Sequence, residues 1–313
     1  RGVRVDYPLL GTAAYTAMLL WHAGTTASAP LLIHTPKHFL EAQIGLIPLR
    51  ETIFLPSNLI ACAVLFLGVP WIVRGMHPKD PSKLRQAADF PLPTGGAPGI
   101  PAEARAPRTP AERLDQSAWI GRLIGGLGVT SLIALWVQAG FDLTHNTVNF
   151  LLLSIGLLIH GSPVGYARAV ASSVTGTSGI ILQFPFYGGI MGLMEKSHLG
   201  QAIAEQFVHL ADARTLPLFA YFASILTKLF VPSGGGEWAI EGPVMLIAAK
   251  NLGAAVGKTT MGVAYGNMVG NLFQPFWAIP LLSILGLGAR DIMGYCLVIF
   301  LFAFPVLGLA LLF

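Results

Sequence analysis

Charge is what this chain has least of. Only 11% of its 313 residues are Asp, Glu, Lys or Arg, about half the ordinary globular share, while 54% are hydrophobic. That balance excludes a soluble domain. Cysteine is nearly absent, and Cys62 and Cys296 both lie inside apolar runs, which excludes a disulfide framework or a cysteine zinc site and leaves packed thiols. The formal charge of +4 does not point to nucleic acid, because the basic residues are dispersed among loops and helix ends, where they orient helices. Motifs of soluble enzymes are missing too. His34 and His38 have zincin spacing, but HTPKH has no glutamate after the first histidine and carries Pro36. Gly257-Lys258-Thr259-Thr260 ends like a phosphate loop, yet Leu252 stands where its first glycine is needed. No G-x-S-x-G elbow is present.

What is abundant is apolar sequence interrupted by glycine and proline, 36 and 22 of them, a pattern that broken membrane helices tolerate. The expected fold class is an all-α polytopic membrane protein. A crossing helix needs roughly 20 apolar residues, and such windows fall near 8–33, 52–73, 122–140, 146–162, 168–194, 215–252, 257–285 and 291–313. The polar stretch between Arg74 and Arg122 is rich in Pro, Ala and Gly and reads as a disordered cytoplasmic linker, 74–121. With that linker inside, alternation puts Phe141 to Asn146 outside and Arg168 inside. Segment 196–213 is too polar to span; Leu199, Ile203, Phe207 and Leu210 recur at helical spacing and predict an amphipathic arm along the outer surface. The chain begins at Arg1 without an n-region and enters apolar sequence within a few residues, so a truncated chain is expected.

An ungapped self-match supports an internal repeat. Ala14, Tyr15, Met18, Pro30, Leu31 and Leu32 recur as Ala264, Tyr265, Met268, Pro280, Leu281 and Leu282, an offset of 250. Both windows carry a polar, helix-breaking centre, His22 to Pro30 and Asn267 to Pro275, between apolar halves. By the topology above they run in opposite directions, which points to an inverted-repeat transporter with its site at the bilayer midplane.

VPSGGGEWAIEGP, Val231 to Pro243, divides an apolar stretch about twice the length of one crossing. Pro232 ends a helix, and Ser233, Gly234, Gly235 and Gly236 permit a sharp turn with open backbone groups, so 216–252 reads as a re-entrant hairpin. The alternative is two ordinary helices joined by a surface glycine loop. Helix N-terminal amides at such a tip suit a carboxylate, and unwound carbonyls suit a cation. Glu237 and Glu241 follow one turn apart; Glu237 reads equally as a helix cap and as an ion or proton ligand. Asn267, Asn271 and Gln274 are candidates to face the tip, or are structural amides between helices. Thr25, Thr26 and Ser28 offer hydroxyl ligands in the first break beside His22, itself more often a packing residue in such a helix. Lys228, Lys250 and Lys258 are expected to snorkel toward the outer face. No Lys or Arg then remains within the site segments, and a carboxylate is left to backbone amides, hydroxyls and a bound cation.

At VPSGGGEWAIEGP, at LQFPFYGGIMGLM (Leu182 to Met194), at GNMVGNLFQPFWAIP (Gly266 to Pro280) and at WHAGTTASAPLLI, the chain resembles the short-chain fatty acid transporter family. The last stretch departs from the family's small Gly and Ser pattern at Ala23, Thr25, Thr26 and Ala27. The resemblance implies a place in the wider ion-transporter superfamily: two inverted repeats, each with a hairpin and a broken helix, and an elevator motion. It assigns 1–73 to the end of the first repeat and 122–313 to the second, with hairpin 216–252, broken helix 257–285 and last span 291–313; the first hairpin is expected to be missing. The implied function is secondary transport of acetoacetate- or butyrate-like monocarboxylates across the cytoplasmic membrane, coupled to Na+ or H+, with no cofactor and no enzymatic activity. The expected partners are the substrate, the bilayer and a second copy of the chain, with no nucleic acid. A dicarboxylate or amino-acid carrier requires more fixed positive charge, and an intramembrane enzyme requires a nucleophile in register with a base.

Overall fold

The protein is described here from a computed structural model covering residues 5–90, 109–140, 145–175 and 178–313. Every regular element among them is helical. The chain divides into two compact units, Arg1–Pro93 with Gly179–Phe313, and Thr94–Ser178.

In the larger unit, Asp6 caps α1 (Tyr7–Thr16) by accepting from the Leu9 N–H at 3.0 Å. A tighter turn, Ala17–Ala23, leads through an extended Gly24 to α2 (Ser28–His34). Then come α3 (Glu41–Ile44) and α4 (Pro56–Met76). The smaller unit holds α5 (Pro110–Asp115), α6 (Ala118–Ala139), α7 (His145–His160) and α8 (Pro163–Thr175). The larger unit resumes with α9 (Ser178–Lys196), α10 (Leu199–His209), α11 (Leu216–Lys228), α12 (Gly234–Leu252), α13 (Val256–Gly270), α14 (Ile279–Leu285) and α15 (Ala289–Leu312). Among the described residues α4, α6 and α15 are long and apolar enough to cross a membrane, and two bent pairs qualify together: α7 with α8, bent by 116°, and α13 with α14, bent by 57°. Helices of this length and apolarity make the chain an integral membrane protein.

Why α13 sits at the centre follows from its small residues. From Thr259 to Gly270 every side chain is buried, because Gly262, Gly266 and Gly270 form a seam against α11. A Cβ on Gly262 would strike the Pro217 carbonyl, one on Gly266 would lie 2.5 Å from the Tyr221 carbonyl, and one on Gly270 would lie 2.6 Å from Lys228 Cγ. On the other side α15 buries Ile292, Cys296, Ile299, Ala303, Leu307 and Leu311, one helical stripe, while Leu297, Leu301 and Leu309 face outward. Outward-facing Phe66, Leu67 and Trp71 on α4 repeat the pattern. Apolar rims of this kind suit lipid as solvent.

Several expected boundaries are corrected. Window 8–33 is three short pieces, α1, the tight turn and α2. Window 146–162 does not end as a straight span: the chain turns sharply at Gly161, whose φ is +75°, into α8. Window 168–194 is divided between α8 and α9, with 176–177 outside the described residues. Of the stretch read as a disordered linker, 91–108 lies outside the described residues, and so does 141–144 of the segment placed outside the membrane. The linker's ends are ordered. Residues 74–76 finish α4, α5 and the start of α6 occupy its far end, and 77–90 is fastened to the larger unit. There Arg85 pairs with buried Asp6 at 3.6 Å and with Asp291 at 3.3 Å, its carbonyl accepts from the Tyr7 N–H, and Tyr295 donates to Asp6 at 3.1 Å.

Of the amphipathic arm, residues 199–209 form α10. It buries Gly200 and Ala204 against its own unit, Gly200 lying against Ile240 of α12, while Leu199 and Leu210 remain exposed. Phe207 of the expected stripe and Val208 pack beside them, so the covered face is Gly200, Ala204, Phe207 and Val208, without the leucines. Before α11, Asp212 accepts from the Thr215 N–H, the Thr215 hydroxyl and the Arg214 N–H, which holds its carboxyl below the usual range.

Three outcomes check this packing. Arg85→Ala leaves buried Asp6 without its cation and lowers unfolding stability in detergent by about 1–3 kcal/mol. Arg50→Ala, whose partner Glu51 is itself 50% exposed, changes it by less than about 0.5 kcal/mol. In the smaller unit a Cβ on Gly125 would lie 2.6 Å from the Ser154 carbonyl of α7. Gly125→Val is expected to force α6 and α7 apart at a cost of about 1–3 kcal/mol, read as a fall in melting temperature.

Candidate functional site

Between α11 and α12 the chain unwinds at Leu229–Ser233, and the Pro232 carbonyl there has no helical partner. Two side chains close it: Lys228 Nζ donates at 2.6 Å and Trp277 Nε1 at 2.8 Å. Ser233 caps α12, accepting from the Gly236 N–H at 3.2 Å. Gly234 is buried because Trp21 and His22 press on it; a Cβ there would lie 2.7 Å from the Trp21 ring. Gly236 abuts Met191 of α9, whereas Gly235 is exposed.

One turn into α12, Glu237 is fully buried. Ser224 of α11 and the Asn267 Nδ2 of α13 both donate to its carboxylate oxygens, one oxygen each. Asn267 Oδ1 in turn accepts from Lys228 Nζ at 3.2 Å. The amide therefore links a buried cation to a buried carboxyl. Ser224 Oγ also stands 2.8 Å from the Val263 carbonyl. Glu241, one turn on, is fully buried; its polar neighbour is the Thr227 hydroxyl, and the two fall short of a well-formed hydrogen bond.

The first break is tied to the same centre. His22 Nδ1 faces the Ala264 carbonyl of α13 at 3.3 Å, which can only accept, so that nitrogen carries the proton. Its Nε2 then accepts from Ser28 Oγ at 3.0 Å, and the ring stacks on Trp21 at 3.7 Å. Asn58 of α4 donates to the Ala23 carbonyl at 2.9 Å and the Ile53 carbonyl at 2.6 Å while accepting from Tyr265 at 2.6 Å. Tyr15, the counterpart of Tyr265 in the self-match, donates to the Asn271 carbonyl at 2.8 Å. Each tyrosine thus fastens the other window's break. The two windows also share an element order, a helix, a break and a seven-residue helix, α2 and α14.

The expected site residues are therefore distributed in three ways. Gly234 meets the first break through Trp21 and His22, and Glu237 meets Asn267, whereas Ser233 and Gly236 bond to each other, Gly236 lies against Met191 and Gly235 is exposed. Asn271 and Gln274 are buried in the second break, and all four of their side-chain amide atoms lack partners. Thr25 and Thr26 are exposed, Thr26 bonding to the Trp21 carbonyl, so the structure does not bring them to the hairpin; Ser28 touches it only through His22. Lys228 is a correction. It does not snorkel but is fully buried, and the site segments do face a fixed cation. Lys250 lies outside, bonding to the Gln43 carbonyl. Sequence reasoning also missed Ser224, Asn58 and Trp277. The signal for the first was available, since Ser224, Thr227 and Lys228 share a face of α11 that the glycine seam covers. His34 and His38 bond to the Ile47 and Gly45 carbonyls and fasten a loop.

Comparison with known proteins gives one family. A family profile described as short chain fatty acid transporter matches residues 1–313. A protein of Escherichia coli (strain K12) is 42% identical over 315 residues, covering 98% of this chain and 69% of the relative. One of Haemophilus influenzae (strain ATCC 51907 / DSM 11121 / KW20 / Rd) is 39% identical over 317 residues, covering 98% and 70%. Both carry the name "putative short-chain fatty acid transporter". No solved structure matches.

Asn58 is the residue whose loss tests how the breaks are held. Asn58→Leu strips two buried carbonyls and the Tyr265 hydroxyl of partners and is expected to lower stability by about 2–4 kcal/mol. Retained melting temperature in that variant contradicts the assignment.

Proposed function

The chain belongs to the short-chain fatty acid transporter family, and on that premise we propose cation-coupled transport of acetoacetate- or butyrate-like monocarboxylates across the cytoplasmic membrane. Membership places it among transport proteins and not among enzymes. In this reading 216–252 is a re-entrant hairpin, the two matched windows are the broken helices of inverted repeats, and substrate moves by an elevator motion.

The observation that carries the reading is the buried polar centre. Asn271 and Gln274 hold amide N–H groups with no partner, close in sequence to Asn267, which touches both Lys228 and Glu237. A carboxylate needs donors, and a buried donor without an acceptor is costly unless a ligand completes it. The first turn of α12 starts at the Ser233 cap against Trp21 and His22, and a helix N-terminus favours negative charge. A single ammonium, matched by Glu237, supports a monocarboxylate over the dicarboxylate alternative, which requires a second fixed positive charge.

Uptake of labelled butyrate by proteoliposomes, competed by acetoacetate but not by succinate or glutamate, is the expected result. Asn271→Leu and Gln274→Leu are expected to leave melting temperature unchanged or raised, since no internal bond is lost, while uptake falls about tenfold or more. Unchanged uptake in both variants refutes the site; succinate competing as well as acetoacetate favours the dicarboxylate reading.

A further inference from the structure

Ser224, Glu237, Asn267 and Lys228 form a chain whose hydrogen bonds can be satisfied in two protonation states. Ser224 has one proton and two acceptors within reach, Glu237 and the Val263 carbonyl. With Glu237 ionised, the hydroxyl donates to the carboxylate. With Glu237 protonated, the acid donates to Ser224 Oγ, and the hydroxyl turns to the Val263 carbonyl. Asn267 Nδ2 donates to the second carboxyl oxygen in either state. No donor is orphaned by the change, so rotation of one hydroxyl accommodates gain or loss of a proton. Glu241 has no such arrangement: the Thr227 hydroxyl is near it without a well-formed bond, and no amide holds its other oxygen.

Lys228 decides what the proton does. Its ammonium donates to the unwound Pro232 carbonyl and to the Asn267 amide oxygen, so a cation tethered to the chain is fixed at the helix break. We propose that Glu237 and Lys228 form a charge-balance switch that couples one proton to one monocarboxylate anion. When Glu237 is ionised it neutralises Lys228, and a second anion in the same buried volume is unfavourable. When Glu237 is protonated, Lys228 is left as an uncompensated buried cation, and the substrate carboxylate restores neutrality. Proton and anion enter together, and the loaded and empty sites carry the same charge.

The balance holds with Glu241 neutral in both states: it is fully buried one turn from Glu237, with no cation of its own and no well-formed hydrogen bond to stabilise a second charge. His22 carries its proton on Nδ1 toward the Ala264 carbonyl. On α13, Tyr265 is engaged with Asn58 and Lys258 lies more than two turns before Asn267. The remaining helices packed on α12 bring His34, bonded to the Ile47 carbonyl, Glu41, which accepts from the Lys37 N–H, Glu205, which accepts from Gln201, and exposed His209 at the end of α10.

The inference rests on the transport reading above and is tested by butyrate binding to the detergent-purified protein, in sodium-free buffer, between about pH 5.5 and 8.5, where butyrate stays anionic. One-proton linkage makes the apparent affinity fall about tenfold per pH unit once Glu237 ionises. Glu237→Gln imitates the protonated acid, its amide donating to Ser224 and accepting from Asn267, and is expected to flatten that slope. Lys228→Met is expected to weaken binding about tenfold or more at every pH. In proteoliposomes an inside-alkaline gradient drives accumulation beyond that of protein-free liposomes, and neither a potassium diffusion potential nor a sodium gradient changes it. A flat profile in the unaltered protein, a slope that survives Glu237→Gln, or sodium-driven accumulation overturns the switch while leaving transport standing. Absence of butyrate binding and uptake under every condition overturns the transport reading itself, and the switch with it.

Discussion

The closeness of α11 to α13 is the constraint on which the polar centre depends. Gly262, Gly266 and Gly270 recur every fourth residue, and each meets a carbonyl or side chain of α11 at a distance that leaves no room for a Cβ. Without a driving force between apolar helices in lipid, small residues are what let two backbones approach. The approach sets Ser224 and Lys228 of α11 beside Val263 and Asn267 of α13, and Glu237 of α12 closes the group. A larger residue at Gly266 would separate that face from its acceptors before any site residue was touched.

Breaking helices inside an apolar environment exposes backbone groups that cost several kcal/mol each if unpaired. Side chains meet that need here. Pro232 receives Lys228 and Trp277, Ala23 receives Asn58, and the Asn271 carbonyl receives Tyr15. Each donor comes from a different element than the carbonyl it serves, apart from Lys228 at the end of its own helix. The breaks are thereby held by tertiary contacts, whereas the Asn271 and Gln274 amides and Glu241 lack partners, as do Thr227 Oγ1 and the ring nitrogens of Trp21 and Trp238.

The self-match acquires a physical meaning from Tyr15 and Tyr265. Both are buried, and each sends its hydroxyl toward the opposite window's break, Tyr265 through Asn58 and Tyr15 directly. The same residue type recurs because the same task recurs: an aromatic body packs in the core while one polar tip ties down unwound backbone.

Composition and periodicity alone pointed to a helical membrane protein interrupted in three places, because apolar run length and Gly or Pro interruptions are local properties, but not to where the breaks fall. The chain leaves the helix at 24–27, 229–233 and 271–274, so that Gly234–Gly236, expected at a sharp turn, open α12, and Asn267 is still helical. The motif residues likewise carried the family. What the sequence could not decide was which side of each helix is covered. Lys228 lies near the end of an apolar helix, and its position alone is compatible with a head group reaching water; only the glycine seam, a relation between residues forty positions apart, shows that it is enclosed. Thr25 and Thr26 erred in the opposite direction, polar residues in a break that prove to face outward. The turn at Gly161 and the anchoring of 77–90 through Arg85 also escaped the linear reading, since Asp6 and Asp291 meet only in the folded chain. Local chemistry fixes that an apolar run is interrupted, and packing between distant segments decides which charges the break encloses.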